Sequence, residues 1–428
     1  MIVQISPIKK LKGSIVLPAS KSYSIRAFII AACGGASTII APSDCDDAVV
    51  ACQTTKALGC RVKKMAGNIW SVKAPLQRKI SKNIFVRESG TTLRFILPLA
   101  ALFSDQVTIT GEKTLVGRPN VFLNQTLRKM GIKIKGAGMK ESVPIKITGG
   151  KLKGGNIAID GSMSSQFISA LLITCPLLKE NTLLRLTGHK IVSRDYVTMT
   201  LSILEKAKVQ VKQKSDREFW IKGDQEYKGL RSFTVPSDYG LAAFLLGAAA
   251  IIDSDVLFKG YLNDKLIQAD GHILSFLQKM GVKFHKTASS IRIKGPFRLK
   301  GGDFSLKDCP DLVPIMSVLA LFAKGKTRLL DIKHARIKES DRISDLRKEL
   351  LKIGADVRET PDSLTIIPQD HYKEGMMMDP HRDHRLAMAF AVIGLRQKVA
   401  VHNFECTHKS YPAFLRDLRA LGADVKTL

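Results

Sequence analysis

Leu58-Gly59-Cys60-Arg61-Val62 is the first of six stretches in which a helical segment runs into an apolar residue, then Gly, then the start of a strand. The other five are Met130-Gly131-Ile132-Lys133-Ile134, Ala207-Lys208-Val209-Gln210-Val211, Met280-Gly281-Val282-Lys283-Phe284, Ile353-Gly354-Ala355-Asp356-Val357 and Leu421-Gly422-Ala423-Asp424-Val425. Successive Gly positions, with Lys208 in the third, lie 68 to 77 residues apart. A spacing this steady indicates one folding unit repeated six times.

The Gly has a physical role at the end of each helix. A helix commonly ends on a residue in the left-handed region, where the missing Cβ of Gly avoids a steric cost. The third stretch has Lys208 at this position. We therefore expect Lys208 to be mildly strained, or its helix to end differently.

Each repeat also contains a polar cluster followed by an apolar run of helical length. The clusters fall at residues 21–26, 89–94, 164–166, 236–238, 310–311 and 383–385. A helix that is apolar on every face is typically buried, and Ser, Thr and Asp at its start are typical N-cap residues. The pattern predicts six buried helices, each beginning with a polar turn.

The starts of these helices are candidate anion sites. Unpaired N–H groups and the helix dipole favour anions there, and several clusters carry Lys or Arg. The alternative is that each cluster only caps its helix. Repetition at a fixed period favours a polyanionic ligand bound by several helix starts together.

The repeats predict an α/β fold made of two similar domains, each containing three βαβαββ units around buried central helices. Three units precede residue 236 and three follow it. Because ligand sites favour domain interfaces, we expect the active site in the cleft between the domains.

Composition excludes several classes of protein. With 428 residues, 45% of them hydrophobic, the chain can bury proper cores. No apolar run is long enough to span a bilayer, and the N-terminus reads as a strand, so we expect a cytoplasmic protein with no membrane role. Seven Cys without a CxxC pair favour reduced thiols over disulfides or zinc.

The net charge of +29 raises the possibility of nucleic-acid binding. Lysines are spread over predicted strands and turns, however, and only 6% of residues are aromatic. A basic surface that steers small anions into a cleft fits this distribution better. We therefore predict no nucleic-acid partner.

Eight motifs, in order, resemble those of the 5-enolpyruvylshikimate-3-phosphate synthase family of enolpyruvyl transferases. They are Leu17-Pro18-Ala19-Ser20-Lys21-Ser22-Tyr23-Ser24-Ile25-Arg26, Ser89-Gly90-Thr91-Thr92-Leu93-Arg94, Gly117-Arg118-Pro119, Gly161-Ser162-Met163-Ser164-Ser165-Gln166-Phe167, Pro310-Asp311, Arg336-Ile337-Lys338-Glu339-Ser340-Asp341-Arg342, Asp383-His384-Arg385-Leu386-Ala387-Met388 and Lys409-Ser410-Tyr411-Pro412. Any one motif is weak evidence, but eight in order are specific.

The resemblance implies an inside-out α/β barrel fold whose N-terminal strand crosses over. The domains would be residues 1–19 plus 236–428, and residues 20–235. The implied reaction transfers the enolpyruvyl group of phosphoenolpyruvate to the 5-hydroxyl of shikimate 3-phosphate and releases phosphate. The family needs no metal and no cofactor, and its members are generally monomers.

The resemblance also assigns substrate-binding residues. For shikimate 3-phosphate they are Lys21, Ser22, Arg26, Ser164, Ser165, Gln166, Ser193, Tyr196, Asp311, His334 and Lys338. For phosphoenolpyruvate they are Lys21, Gly90, Arg118, Gln166, Arg342, Arg385 and Lys409. Ligands with two phosphates and two carboxylates call for this many Arg and Lys side chains.

Two carboxylates and one Lys are implied as the catalytic residues. Asp311 would accept the hydroxyl proton, and Glu339, with Lys21 near it, would protonate carbon. From the residues alone, each carboxylate has an alternative role. Asp311 could be the N-cap of a helix, and Glu339 could form an exposed ion pair on a helix. His384 either binds phosphate or orients Arg385, and Asp46 and Asp47 begin a helix with a supporting role.

Three positions depart from the family pattern: Ala19 replaces the usual Gly, Ile25 replaces Asn or His, and His334 replaces Asn. The alternative enzyme is the related transferase that acts on UDP-N-acetylglucosamine and uses a loop Cys as general acid. The corresponding stretch, residues 111–118, has no Cys. A non-catalytic anion-binding or nucleic-acid-binding protein on the same fold remains the alternative from another class.

Overall fold

The computed structural model describes every residue from 1 to 428. The helices are α1 (Lys21–Ala31), α2 (Asp46–Ala57), α3 (Gly90–Phe103), α4 (Val121–Lys129), α5 (Ser165–Thr174), α6 (Arg194–Lys206), α7 (Tyr239–Ile251), α8 (His272–Lys279), α9 (Val313–Leu321), α10 (Arg342–Lys352), α11 (His384–Gly394) and α12 (Phe414–Ala420).

The strands are β1 (Val3–Ser6), β2 (Lys10–Val16), β3 (Ala36–Ile40), β4 (Arg61–Met65), β5 (Ile69–Lys73), β6 (Asn83–Phe85), β7 (Val107–Thr110), β8 (Ile132–Ala137), β9 (Ser142–Gly150), β10 (Gly155–Asp160), β11 (Thr182–Thr187), β12 (Val211–Ser215), β13 (Glu218–Ile221), β14 (Arg231–Thr234), β15 (Asp253–Lys259), β16 (Phe284–Lys286), β17 (Ser290–Ile293), β18 (Leu299–Lys300), β19 (Asp303–Ser305), β20 (Ala323–Lys324), β21 (Thr327–Leu330), β22 (Asp356–Thr360), β23 (Ser363–Ile367), β24 (Met376–Met378), β25 (Val399–Val401) and β26 (Asp424–Thr427).

The chain divides into two compact units. Ala19–Val235 forms one, called here the N-terminal unit, and Met1–Pro18 with Pro236–Leu428 forms the other, called the C-terminal unit. Strand β2, which precedes α1, pairs with β15 in the C-terminal unit. Strand β14, which precedes α7, pairs with β3 in the N-terminal unit.

Six four-stranded sheets share one topology: a parallel pair followed by two antiparallel pairings. In the N-terminal unit the strand orders are β14-β3-β5-β4, β6-β7-β9-β8 and β10-β11-β13-β12. In the C-terminal unit they are β2-β15-β17-β16, β19-β21-β23-β22 and β24-β25-β1-β26. A two-stranded sheet, β18-β20, adds to the C-terminal unit. The predicted α/β fold with six repeats is confirmed.

The apolar helices are buried, as predicted. All residues of α7, α9 and α11 are buried in the C-terminal unit, where they pack against one another. In the N-terminal unit, α3 packs against α1 and α5. Each unit therefore encloses three apolar helices with sheets around them. No helix is long and apolar enough to cross a membrane.

The six predicted helix ends all adopt the left-handed conformation. The five glycines, Gly59, Gly131, Gly281, Gly354 and Gly422, have φ between 82° and 102°. Lys208 also has a positive φ, 63°, so the prediction of a strained Lys208 is confirmed. Its N–H donates to Glu205 O at 2.9 Å, and the N–H of Val209 donates to Leu204 O at 2.9 Å, which is the usual bonding of a left-handed helix end.

Candidate functional site

The C-terminal unit contains a cluster of charged side chains, and a buried arginine lies at its centre. Arg342 begins α10, and its side chain is 1% exposed. Its Nε lies 2.7 Å from Oδ2 of Asp383, its Nη1 2.7 Å from Oδ1 of Asp311, and its Nη2 3.0 Å from Oε2 of Glu339. Burial opposes the charge, but Asp383, Asp311 and Glu339 together raise the pKa of Arg342 well above its usual value. This cation is permanently charged and held on three sides.

Asp311 is held by several cations. It lies in the one-turn 3-10 helix Pro310–Leu312, directly before α9. Its carboxylate is 2.7 Å from Arg342, 2.9 Å from Arg385 and 3.5 Å from Lys338. Burial by itself would raise the pKa of Asp311, but Arg385, Lys338 and Arg342 lower it well below its usual value. Asp311 is therefore ionised here.

The alternative role of Asp311 as a helix cap is wrong. Helix α9 is preceded by Leu312, and the 3-10 turn by Cys309, with no side-chain cap at either position. The carboxylate is directed to the cations instead, because three charged partners within ion-pairing distance outweigh a single backbone N–H.

Glu339 links two cations, and its alternative as an exposed helical ion pair is also wrong. The residue precedes α10 rather than lying in it, and its side chain is 10% exposed. One oxygen contacts Arg342 at 3.0 Å, and the other lies 3.9 Å from Nζ of Lys409. Glu339 is thus a second half-buried carboxylate, joined to Asp311 through Arg342.

Arg385, in the first turn of α11, is anchored at its guanidinium and at its backbone. Its Nη1 donates to Gly240 O at 3.0 Å, and its Nη2 lies 3.8 Å from Oδ2 of Asp270. Its backbone N–H donates to Oδ1 of Asp383 at 2.9 Å. The same Asp383 carboxylate therefore caps α11 and binds Arg342.

Two histidines accompany these charges. His334 is 7% exposed, and its Nε2 is buried without a hydrogen-bond partner. Burial, with Lys338 and Arg342 adding to it, lowers the pKa of His334 to about 3, so the ring is neutral. His384 is 1% exposed, with Nδ1 3.9 Å from Oδ1 of Asp383, which places it beside the carboxylate that fixes the Arg385 backbone.

In the N-terminal unit, Lys21 begins α1 and is paired with Asp47. Its Nζ lies 3.2 Å from Oδ2 of Asp47, and the two side chains are 11% and 7% exposed. Asp46 and Asp47 form the first turn of α2, so their predicted place at a helix start is confirmed. Ser20 precedes α1 as its cap, and its hydroxyl accepts from the N–H of Tyr23 at 3.4 Å.

Arg26 joins α1 to α6. Its Nε donates to Oγ1 of Thr200 at 2.9 Å, and its Nη2 donates to Tyr196 O at 3.0 Å. The guanidinium also lies over the rings of Phe95 and Tyr196, 5.2 and 5.8 Å from their centroids. Desolvation lowers the pKa of Arg26 to about 10, against the opposing effect of Tyr196 and Tyr23. The structure thus brings the predicted residues Arg26 and Tyr196 together.

Gly90, Arg118 and Gln166 also converge. A Cβ added to Gly90 would lie 2.9 Å from Nη1 of Arg118. Gln166 donates through Nε2 to Oγ1 of Thr91 at 2.8 Å and accepts from Nη1 of Arg94. Three of the predicted phosphoenolpyruvate residues of this unit therefore meet at the start of α3.

The predicted serines lie at helix starts. Ser164 caps α5, its hydroxyl accepting from the N–H of Gln166 at 3.3 Å. Ser165 is the first residue of α5, and Ser22 is half-buried in the first turn of α1. Ser193 precedes α6 with φ 57°. The hydroxyls thus accompany helix N-termini, where an anion is favoured.

Three residues with supporting contacts were missed by the sequence prediction. Arg94 is 3% exposed; besides Gln166 it binds Oδ1 of Asn120 at 3.3 Å and Pro119 O at 3.2 Å. Asp383 and Asp270 hold Arg342 and Arg385. The polar cluster at residues 89–94, which ends in Arg94, was a signal for this residue. Nothing in the sequence around Asp270 distinguishes it.

Six βαβαββ repeats with buried helices, cationic helix starts and two carboxylates held among cations define the enolpyruvyl transferase class. A sequence model described as EPSP synthase (3-phosphoshikimate 1-carboxyvinyltransferase) matches residues 5–418. The chain belongs to the EPSP synthase family.

Individual relatives agree with this membership. A 3-phosphoshikimate 1-carboxyvinyltransferase from Methanosarcina mazei is 36% identical, with 98% of this chain and 97% of that protein covered. The structure of EPSP synthase from Acinetobacter baumannii matches with a TM-score of 0.80 and 25% identity over 100% of both chains. The enolpyruvyl transferase NikO from Streptomyces tendae has a TM-score of 0.79 at 16% identity, covering 99% of this chain and 98% of its own, and shares the fold.

Proposed function

We propose that this transferase moves the enolpyruvyl group of phosphoenolpyruvate to the 5-hydroxyl of shikimate 3-phosphate and releases phosphate, a step of aromatic amino acid biosynthesis. The observation that supports the residue roles best is the cluster of Asp311 and Glu339 among Lys338, Arg342, Arg385 and Lys409. Two carboxylates able to move protons lie among cations able to hold anionic substrates.

The substrates would be bound by the cations and hydroxyls. Arg342, Arg385, Lys409 and Arg118 would hold the carboxylate and phosphate of phosphoenolpyruvate, with Gly90 leaving room and Gln166 beside it. Ser22, Ser164, Ser165, Ser193, Arg26, Tyr196, His334 and Lys338 would hold shikimate 3-phosphate. Lys21 would contact both ligands. This assignment requires the two units to act on the same substrates, and we propose that these bind in the cleft between them.

The chemistry would proceed by addition and elimination. Asp311 accepts the proton of the 5-hydroxyl of shikimate 3-phosphate as the hydroxyl oxygen bonds to C2 of phosphoenolpyruvate. At the same time Glu339, assisted by Lys21, gives a proton to C3. The product of addition is a tetrahedral intermediate. Glu339 then takes a proton back from the methyl carbon as the C2–O bond to phosphate breaks, which restores the double bond. The proton held by Asp311 passes to the departing phosphate, so both carboxylates return to their starting states.

Asp311 requires one further step before it acts as a base. Its present ion pairs hold its pKa well below the usual range, and a base that weak accepts a proton poorly. Substrate anions that bind Arg342, Arg385 and Lys338 neutralise the charges that depress this pKa. Substrate binding would therefore strengthen the base at the moment it is needed.

None of the seven cysteines forms a disulfide, as is usual for a protein of a reducing compartment. We propose that the protein works in the cytoplasm as a monomer. No group of three or more His, Cys, Asp and Glu side chains could hold a metal ion.

The test is phosphate release from phosphoenolpyruvate with and without shikimate 3-phosphate. We expect release only when both are present, and loss of release in Asp311→Asn. Asp303→Asn, which removes an exposed partner of Arg328, is the matched control and should keep its activity. Release that depends on UDP-N-acetylglucosamine would identify the related transferase instead, and no release with either acceptor would contradict the proposal.

A further inference from the structure

We propose that Glu349 and His381 are positioning residues that hold Asp383 in place between Arg342 and Arg385. The inference rests on the proposed function, because that function gives the two arginines their role in binding phosphoenolpyruvate. All of the residues involved lie in the C-terminal unit. Neither Glu349 nor His381 belongs to the predicted site.

Glu349 is a buried carboxylate that the proposed chemistry does not use. Its side chain is 0% exposed and lies two turns along α10 from Arg342. The carboxylate accepts from Nζ of Lys352 at 2.6 Å and from the N–H of Asp379 at 2.8 Å, and Nε2 of His381 lies 3.2 Å away. Because a buried carboxylate is unfavourable without such partners, it holds the chain at residues 379 and 381 against α10.

The segment that Glu349 holds against α10 is strained. His381 and Arg382 are consecutive residues with left-handed φ, 51° and 59°. Residues other than Gly keep this conformation only where their surroundings fix it. His381 supplies the fixing contacts, since its Nδ1 lies 3.8 Å from Asp345 and its Nε2 3.2 Å from Glu349. These two carboxylates are four residues apart and so share one face of α10.

The strained pair leads directly into Asp383. Oδ2 of Asp383 binds Nε of Arg342 at 2.7 Å, while Oδ1 accepts from the N–H of Arg385 at 2.9 Å. One carboxylate therefore sets the position of both arginines. If the contact between His381 and Glu349 is lost, the two left-handed residues can relax and Asp383 can shift. Misplacement of a binding group by about 1 Å can lower activity on the order of 100-fold.

The experiment measures KM for phosphoenolpyruvate and kcat in His381→Ala and Glu349→Gln. We expect KM to rise tenfold or more, while KM for shikimate 3-phosphate stays within twofold. His381→Gln, which retains a side-chain N–H donor, should recover part of the loss. Adding Arg382→Gly to His381→Ala should also recover part of the lost affinity for phosphoenolpyruvate. Gly adopts the left-handed conformation without steric cost, so less strain remains to move Asp383.

The control is Ile353→Val, which removes a buried methyl group at the end of the same helix. It should lower the melting temperature and leave KM for phosphoenolpyruvate unchanged. Should His381→Ala fail to fold, Glu349→Gln carries the test. An unchanged KM in Glu349→Gln and His381→Ala, or a KM that simply follows melting temperature across all variants including the control, would overturn the inference. Failure of the unmodified protein to release phosphate would instead overturn the proposed function.

Discussion

Oδ1 of Asp311 lies 2.7 Å from Nη1 of Arg342, so the proposed base is paired with a proposed substrate-binding cation. The same carboxylate also contacts Arg385 and Lys338. Without ligands, Asp311 acts as the counter-ion of the site. Substrate anions must compete with it, and this competition has measurable consequences.

Asp311→Asn should separate binding from chemistry. We expect turnover to fall by about 100-fold to 10,000-fold, because loss of a general base has effects of this size. Phosphoenolpyruvate should bind at least as tightly as before, since a competing negative charge is gone. Phosphate release measures the first effect, and calorimetric titration in the presence of shikimate 3-phosphate measures the second. Weaker binding together with lost turnover would show that Asp311 mainly positions the cations.

Gly90→Ala should affect one substrate and spare the other. The new Cβ would lie 2.9 Å from Nη1 and 3.2 Å from Cζ of Arg118, so the guanidinium must move. Because Arg118 is proposed to hold phosphoenolpyruvate, we expect KM for phosphoenolpyruvate to rise by roughly tenfold, about 1.4 kcal/mol. KM for shikimate 3-phosphate should change little. Gly302→Ala, at a site outside the left-handed region where the nearest atom to the new Cβ lies 3.8 Å away, controls for loss of a Gly as such.

The repeat pattern made most of the fold predictable. Helix ends and polar helix starts are local features, set by the steric freedom of Gly and by N-cap chemistry. The helix-end pattern and the helix-start pattern each predict the same repeating unit. Because both patterns recur six times, the prediction does not depend on any single residue. Lys208, the single exception, still ends its helix in the left-handed region. Interactions in the rest of the unit therefore outweigh the local preference at that residue.

The contacts within the site could not be predicted in the same way. The sequence identified Asp311 and Glu339 only by resemblance, and it left open a cap and a surface ion pair. Both alternatives failed because Arg342 lies between the two carboxylates. That arrangement depends on pairing between elements far apart in the chain, which no local pattern records. Asp270 was missed for the same reason.

Lys208→Gly should stabilise the protein. Relief of a left-handed non-Gly residue is favourable by about 1–2 kcal/mol, and the extra flexibility of Gly in the unfolded chain opposes it by roughly 0.5–1 kcal/mol. We expect a net gain of about 0.5–1 kcal/mol in the free energy of unfolding, measured with denaturant.

Gly354→Ala is the matched reverse change. Gly354 ends α10 with φ 82°, and the nearest atom to an added Cβ is 3.9 Å away, so only backbone strain acts. This variant should lose about 1 kcal/mol. A change of the same sign in the free energy of unfolding of both variants would contradict the explanation based on left-handed strain.

His334 should make stability depend on pH in a defined window. Burial lowers its pKa in the folded protein to about 3, against about 6.5 in an unfolded chain. Between these values the unfolded chain binds a proton that the folded protein does not, so stability falls as pH drops below about 6.5. From pH 7 to pH 5 the contribution of this residue amounts to a loss of about 2 kcal/mol. His334→Asn, which cannot be protonated, should lose correspondingly less stability over the same interval. Denaturant unfolding of both proteins at pH 7, 6 and 5 measures the difference, and parallel pH profiles would show that His334 is accessible to protons in the folded state.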